Sequence, residues 1–194
     1  MARWIRWALF AAACAALGGC ETVRGAADSV GSAVKSGWDS LWGSGGAVAV
    51  ADVKPTQGST VSGKVEFHQS GSTVRVTVDL VGLAPNSEHG FHVHERGDCS
   101  APDAMSAGGH FNPEGVAHGT YSHAPHHAGD LPNLKADEKG EVHTSFDIDS
   151  LSVGSGSGDV DGHSVIVHRD ADDYKSQPAG NSGPRLACGV IAAK

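Results

Sequence analysis

Gly90-Phe91-His92-Val93-His94-Glu95 sets two histidines one residue apart, and His110, His118, His127, Asp130 and the distant His168 follow. Imidazole and carboxylate are metal-ligating side chains. On a β-strand alternate side chains share a face, so His92 and His94 would point the same way and could hold one metal. These six histidines and one aspartate suffice for two metal sites if one histidine is shared.

The elements that must position them read as β-structure. Val74, Val76, Val78 and Leu80 alternate with Arg75, Thr77 and Asp79, the pattern of a half-buried strand. Val165-Ile166-Val167 is a short apolar run ending at His168. Strands are predicted near 47–53, 60–68, 73–81, 88–94, 141–147, 163–168 and 186–192, with an eighth short one within 148–160. Short Val-rich alternating runs separated by Gly, Ser and Pro favour an all-β antiparallel barrel or sandwich over helical structure. Two connections, 95–140 and 169–185, are too long to be simple turns. Loops of that length in a folded domain are functional or disordered. The first contains Cys99 and most of the ligand-type residues, so metal ligation and a disulfide can replace the missing core as organising forces.

The N-terminus reads as export machinery. Arg3 and Arg6 precede the apolar run Trp7 to Leu17, which is too short to span a bilayer comfortably. Leu17-Gly18-Gly19-Cys20 is similar to a bacterial lipoprotein signal, in which the cysteine is acylated. A plain secretory signal or a membrane anchor is the alternative. Residues 1–19 are thus expected to be a signal peptide, 20–46 a lipidated Cys20 with a tether, and 47–194 the functional domain. In the tether, Val23, Ala27, Val30, Val34, Trp38 and Leu41 fall at helical spacing, but Gly25, Gly31 and Gly37 weaken a helix. A solvated tether and an amphipathic helix lying on a membrane both fit. Cys14 leaves with the signal and Cys20 carries lipid, so Cys99 and Cys188 are left as a disulfide pair in an oxidising compartment. The formal charge of -8 argues against a nucleic-acid partner.

Five motifs now converge. Gly90 to Glu95, Gly109-His110-Phe111-Asn112-Pro113, His127-Ala128-Gly129-Asp130, Val167-His168 and Gly183-Pro184-Arg185-Leu186-Ala187-Cys188-Gly189-Val190-Ile191 together resemble the copper/zinc superoxide dismutases, exported bacterial branch, over about residues 47–194. The resemblance implies an eight-stranded Greek-key barrel or sandwich with two long functional loops. It implies copper ligation by His92, His94, His110 and His168, and zinc ligation by His110, His118, His127 and Asp130. Asp172 would link His92 to His118. Arg185 would attract and orient superoxide beside copper, with weaker help from Arg169 and Lys175. The Cys99–Cys188 bridge would tie the ligand loop to the strand after Arg185.

The implied reaction converts two superoxide anions and two protons to dioxygen and hydrogen peroxide, copper alternating between two oxidation states and His110 delivering a proton. His123 and His126 are expected to be solvated loop residues, and His68, His89, His143 and His163 to have packing or surface roles. The implied setting is the periplasm or cell envelope, with a membrane as partner through the lipid anchor and an unidentified copper donor. Monomer and homodimer stay open. A non-catalytic exported copper- or zinc-binding protein, or a metal-uptake module, on the same scaffold is the alternative.

Overall fold

The computed structural model describes residues 46–194. The expected signal peptide, Cys20 and the tether to residue 45 lie outside the described residues. Nine strands occur among the described residues: β1 Val48–Pro55, β2 Ser62–Ser70, β3 Thr73–Val81, β4 Glu88–His89, β5 Phe91–His94, β6 Leu134–Lys135, β7 Val142–Ile148, β8 Ser164–His168 and β9 Arg185–Ala193. Seven form one antiparallel sheet in the order β5-β8-β9-β1-β2-β3-β7, and β4 pairs with β6 in a small second sheet. The fold is all-β and antiparallel, as expected.

Period-two patterning explains the core. Val74, Val76, Val78 and Leu80 are buried, as are Val65 and Phe67 of β2, while their neighbours along each strand are wetter. Fully burying a side chain of this size contributes roughly 1.5–3 kcal/mol. In contrast, every residue of β5 and β8 is buried. One face of these two strands meets the core and the other is covered by the long loops. The continuous Val165-Ile166-Val167 run is the sequence trace of that double burial.

The expected strand over 88–94 is divided at Gly90. Gly90 donates from its N–H to Asp170 O at 2.8 Å and accepts from His168 N at 2.8 Å. A Cβ there would lie 2.6 Å from Ser182 Oγ, so only glycine lets the 169–185 loop approach this closely. The chain changes partner at this point: β4 pairs with β6, and β5 with β8 in the register His92↔Ile166 and His94↔Ser164. β6 was not expected, because two residues carry no readable periodicity. The short strand expected within 148–160 is a single bridge, Ser152↔Asp159, in a segment rich in glycine and serine. A disulfide joins Cys99 to Cys188, linking the first loop to β9.

Candidate metal centre

The free edge of β5 collects the chemistry. Pieces of the 95–140 loop pair along it: Phe111 N donates to Val93 O at 2.8 Å, and Val93 N donates to Gly129 O at 2.9 Å. His94 thereby stands opposite His110, and His92 opposite Asp130. Side chains directly opposite in an antiparallel pair are close neighbours. Backbone pairing therefore brings loop residues against strand residues before any metal is considered.

Two groups result. The ligand atoms of His92, His94, His110 and His168 lie within 4.8 Å of one another, and so do those of His110, His118, His127 and Asp130. All seven residues are buried. His110 belongs to both groups. His123 and His126 belong to neither: His123 faces Ser122 at the surface, and His126 Nδ1 donates to His127 O at 2.8 Å.

The nitrogens of the first group can be assigned from their partners. A carbonyl or carboxylate can only accept, so the imidazole nitrogen facing it must donate. His94 Nδ1 donates to Gly108 O at 3.0 Å, His168 Nδ1 to Gly183 O at 3.2 Å, and His92 Nε2 to Asp172 Oδ2 at 2.8 Å. The opposite nitrogens turn inward. His94 Nε2 and His168 Nε2 are 3.4 Å apart. His92 Nδ1 and His110 Nε2 are buried without a hydrogen-bond partner, and among the described residues they are the only buried side-chain nitrogen or oxygen atoms in that position. A buried polar atom without a partner is costly. Two such atoms aimed into one all-imidazole group fit a copper ion.

The second group converges on one oxygen. Asp130 Oδ1 lies 2.8, 3.0 and 3.3 Å from Nδ1 of His110, His118 and His127. Asp130 Oδ2 accepts from the backbone N–H of His127 at 2.8 Å and of Gly119 at 3.1 Å, which fixes the carboxylate. Three imidazoles and a carboxylate suit a tetrahedral zinc ion. His110 offers Nδ1 to this group and Nε2 to the other, so one ring serves both.

Electrostatics separate the two groups. Burial pushes His168 down to about 3, with the neighbouring His92 adding to the effect, and His110 down to about 4 against the opposing pull of Asp130. Burial likewise lowers His92 and His94. These rings favour the neutral form, which is the form that ligates. His118 goes the other way. Burial would lower it, but Asp130 and Asp172 prevail and raise it to about 9. Burial would raise Asp130 and Asp172, but their imidazole partners hold both well below the usual carboxylate range.

Asp172 connects the groups: its second oxygen lies 3.0 Å from His118 Nε2. Arg185 faces His168 across β8 and β9, and its guanidinium donates to Ala104 O and Gly108 O, each at 2.6 Å. Gly108 O thus receives both Arg185 and His94. Arg185, His94, His110 and His168 line one open cleft, and Arg185 is its only lysine or arginine among the described residues. Arg169 is spent on a two-point contact with Asp170. No residue pattern marks the carbonyls of Gly108 and Gly183, nor His89, which is buried and donates to His168 O at 2.8 Å.

Residues 61–191 match the family described as Copper/zinc superoxide dismutase (SODC). The chain belongs to the copper/zinc superoxide dismutase family. Among its relatives is Cu-Zn superoxide dismutase 2 of Aquifex aeolicus, 42% identical over 147 residues that cover 74% of this chain and 85% of the relative. The Cu-Zn superoxide dismutase of Saccharomyces cerevisiae is 43% identical over 151 residues, covering 74% and 96%. The crystal structure of the clock protein EA4 superposes with a TM-score of 0.68 at 39% identity, covering 75% of this chain and 93% of that one. This dismutase is therefore an oxidoreductase acting on superoxide, with copper and zinc as cofactors. A non-catalytic binding protein on the same scaffold is not favoured.

Proposed function

We propose that dismutation runs at a two-metal centre in which His92 Nδ1, His94 Nε2, His110 Nε2 and His168 Nε2 hold copper, and His110, His118, His127 and Asp130 hold zinc. The observation that carries this reading is the shared ring of His110, with Nδ1 at 2.8 Å from Asp130 and Nε2 buried and unpaired on the opposite side. Copper, when bound, supplies a one-electron couple that accepts an electron from one superoxide and gives it to the next.

The chain's own residues do the rest. Arg185 draws the anion into the cleft and orients it, because its charge is permanent and its acceptors fix the guanidinium plane. His110 would use Nε2 either to hold copper or to carry a proton, never both at once; in its protonated form it would pass that proton to the second superoxide, the other proton coming from water, while Asp130 keeps Nδ1 in place. Gly108 O, Gly183 O and Asp172 fix the other imidazoles by their outer nitrogens, the support that metal-binding histidines require. The test is superoxide decay by the copper- and zinc-loaded protein. The expected rate constant is on the order of 10⁸–10⁹ M⁻¹s⁻¹ and falls as salt rises. A rate no better than that of the metal-free protein overturns the assignment.

The same proposal places the protein outside the cytoplasm, exported by residues 1–19 and held to a membrane by lipid on Cys20, with 47–194 as the working domain. The disulfide supports export, since such bonds persist in oxidising compartments. The Cys20→Ser variant is expected to leave the membrane fraction, and mass analysis of the wild type to find acyl groups on Cys20. An unmodified Cys20 in the mature protein overturns the anchor.

A further inference from the structure

Two side-chain amides cross between the long loops in opposite directions. Gln177, in the second loop, donates from Nε2 to His118 O at 2.8 Å and accepts from His118 N at 3.0 Å through Oε1. Asn133, in the first loop, donates from Nδ2 to Asp172 O at 3.0 Å and accepts from Asp172 N at 3.0 Å through Oδ1. Each amide thus acts as a one-residue strand partner, satisfying both backbone groups of the residue it holds. The two captured residues are the ones whose side chains meet, His118 Nε2 donating to Asp172 Oδ1. His118 lies outside every strand, and among the described residues its N–H and C=O find no other backbone partner.

We propose that Gln177 is a positioning residue for the zinc group: from the opposite loop it fixes the backbone of His118, so that Nδ1 faces Asp130 before the metal arrives. This rests on the ligand assignment above. The chemistry demands an amide. Glutamate keeps the acceptor for His118 N but loses the donor for His118 O. Methionine keeps the length and loses both. Holding a ligand in its bound geometry removes an ordering cost from binding, so loss of the clasp weakens zinc binding without touching a ligand atom.

The test uses the full-length, metal-free protein. Zn²⁺ affinity is read by competition with a chromophoric chelator, and Co²⁺ serves as a coloured probe of tetrahedral geometry at the same group. Gln177→Met is expected to weaken Zn²⁺ binding about 10-fold, the lower end of the loss when a ligand's outer partner is removed, and to alter the visible Co²⁺ bands. Gln177→Glu is expected to fall between Gln177→Met and the wild type. Wild-type affinity in both variants overturns the proposal. So does weaker binding with unchanged Co²⁺ bands, which would mean general loosening of the loop and not positioning. The ligand assignment fails separately, and visibly, if His118→Ala leaves the wild-type Co²⁺ spectrum intact.

Discussion

His92, His94 and His168 stand on sheet strands, whereas His110, His118, His127 and Asp130 all come from the loop between β5 and β6. The group proposed for copper takes three of its four rings from β5 and β8, which belong to the β5–β8–β9 ladder. The group proposed for zinc has no strand of its own: His110 and Asp130 are tied to β5 only by single bridges, and His118 and His127 lie outside every strand. It is assembled by a central carboxylate, by bridging contacts from Asp172 and by hydrogen bonds between loops. One half of the centre is thus set mostly by the sheet, and the other half rests on two bridges to β5 and on contacts between loop side chains. The zinc half should be the softer one, and each expectation below probes that asymmetry.

The largest effect is expected at the one residue that breaks the division. His110→Ala should abolish dismutation and lower the content of both metals, measured by superoxide decay and metal analysis. Loss of one metal alone would mean that the ring is not shared.

Acidity should pull the halves in opposite directions in the metal-free protein. His168 and His110 have folded values below the ordinary histidine value, about 3 and about 4. Their contribution is present above about pH 6.5 and is lost as the pH falls, because the unfolded chain takes protons that the native rings refuse. Between about pH 6.5 and 4 this costs on the order of 3 kcal/mol for each ring. His118 is raised to about 9, so its contribution is full below about pH 6.5 and fades as the pH rises through 9. Urea denaturation across this range should find maximum stability near pH 6.5. A flat profile would contradict both assignments.

The disulfide joins the halves across 89 residues of sequence. Replacing Cys99 and Cys188 by serine should cost roughly 2–4 kcal/mol of unfolding free energy. Asp172→Ala should weaken zinc binding roughly 10- to 100-fold while the strand-built copper group keeps its ion. Equal loss of copper would erase the asymmetry. The smallest effect is Arg185→Ala, which should keep both metals, slow turnover roughly 10-fold and flatten the salt dependence. Wild-type turnover in a metal-replete variant would remove the steering role.

How much of this was readable in advance follows the same division. His92 and His94 were legible because strand periodicity alone puts them on one face. His127 could be told from the adjacent His126 only through the family resemblance carried by His127-Ala128-Gly129-Asp130; in the structure Asp130 accepts from the His127 backbone as well as meeting its ring. The all-β fold followed from alternation in β1 to β3. The break at Gly90 did not, because it arises from the approach of Ser182, a residue far away in sequence. Nor did the outer supports of the imidazoles. Backbone carbonyls such as Gly108 O exist at every position, and no side-chain pattern marks the two that matter.

Gly108 O receives both the guanidinium of Arg185 and Nδ1 of His94. In the language of instruments, the two parts share a common reference point. A breathing motion of the 104–108 segment displaces both together and leaves their separation almost unchanged. Two independent anchors would drift separately and their errors would add. The spacing between Arg185 and His94 is thereby protected against any displacement of the segment that supplies Gly108 O.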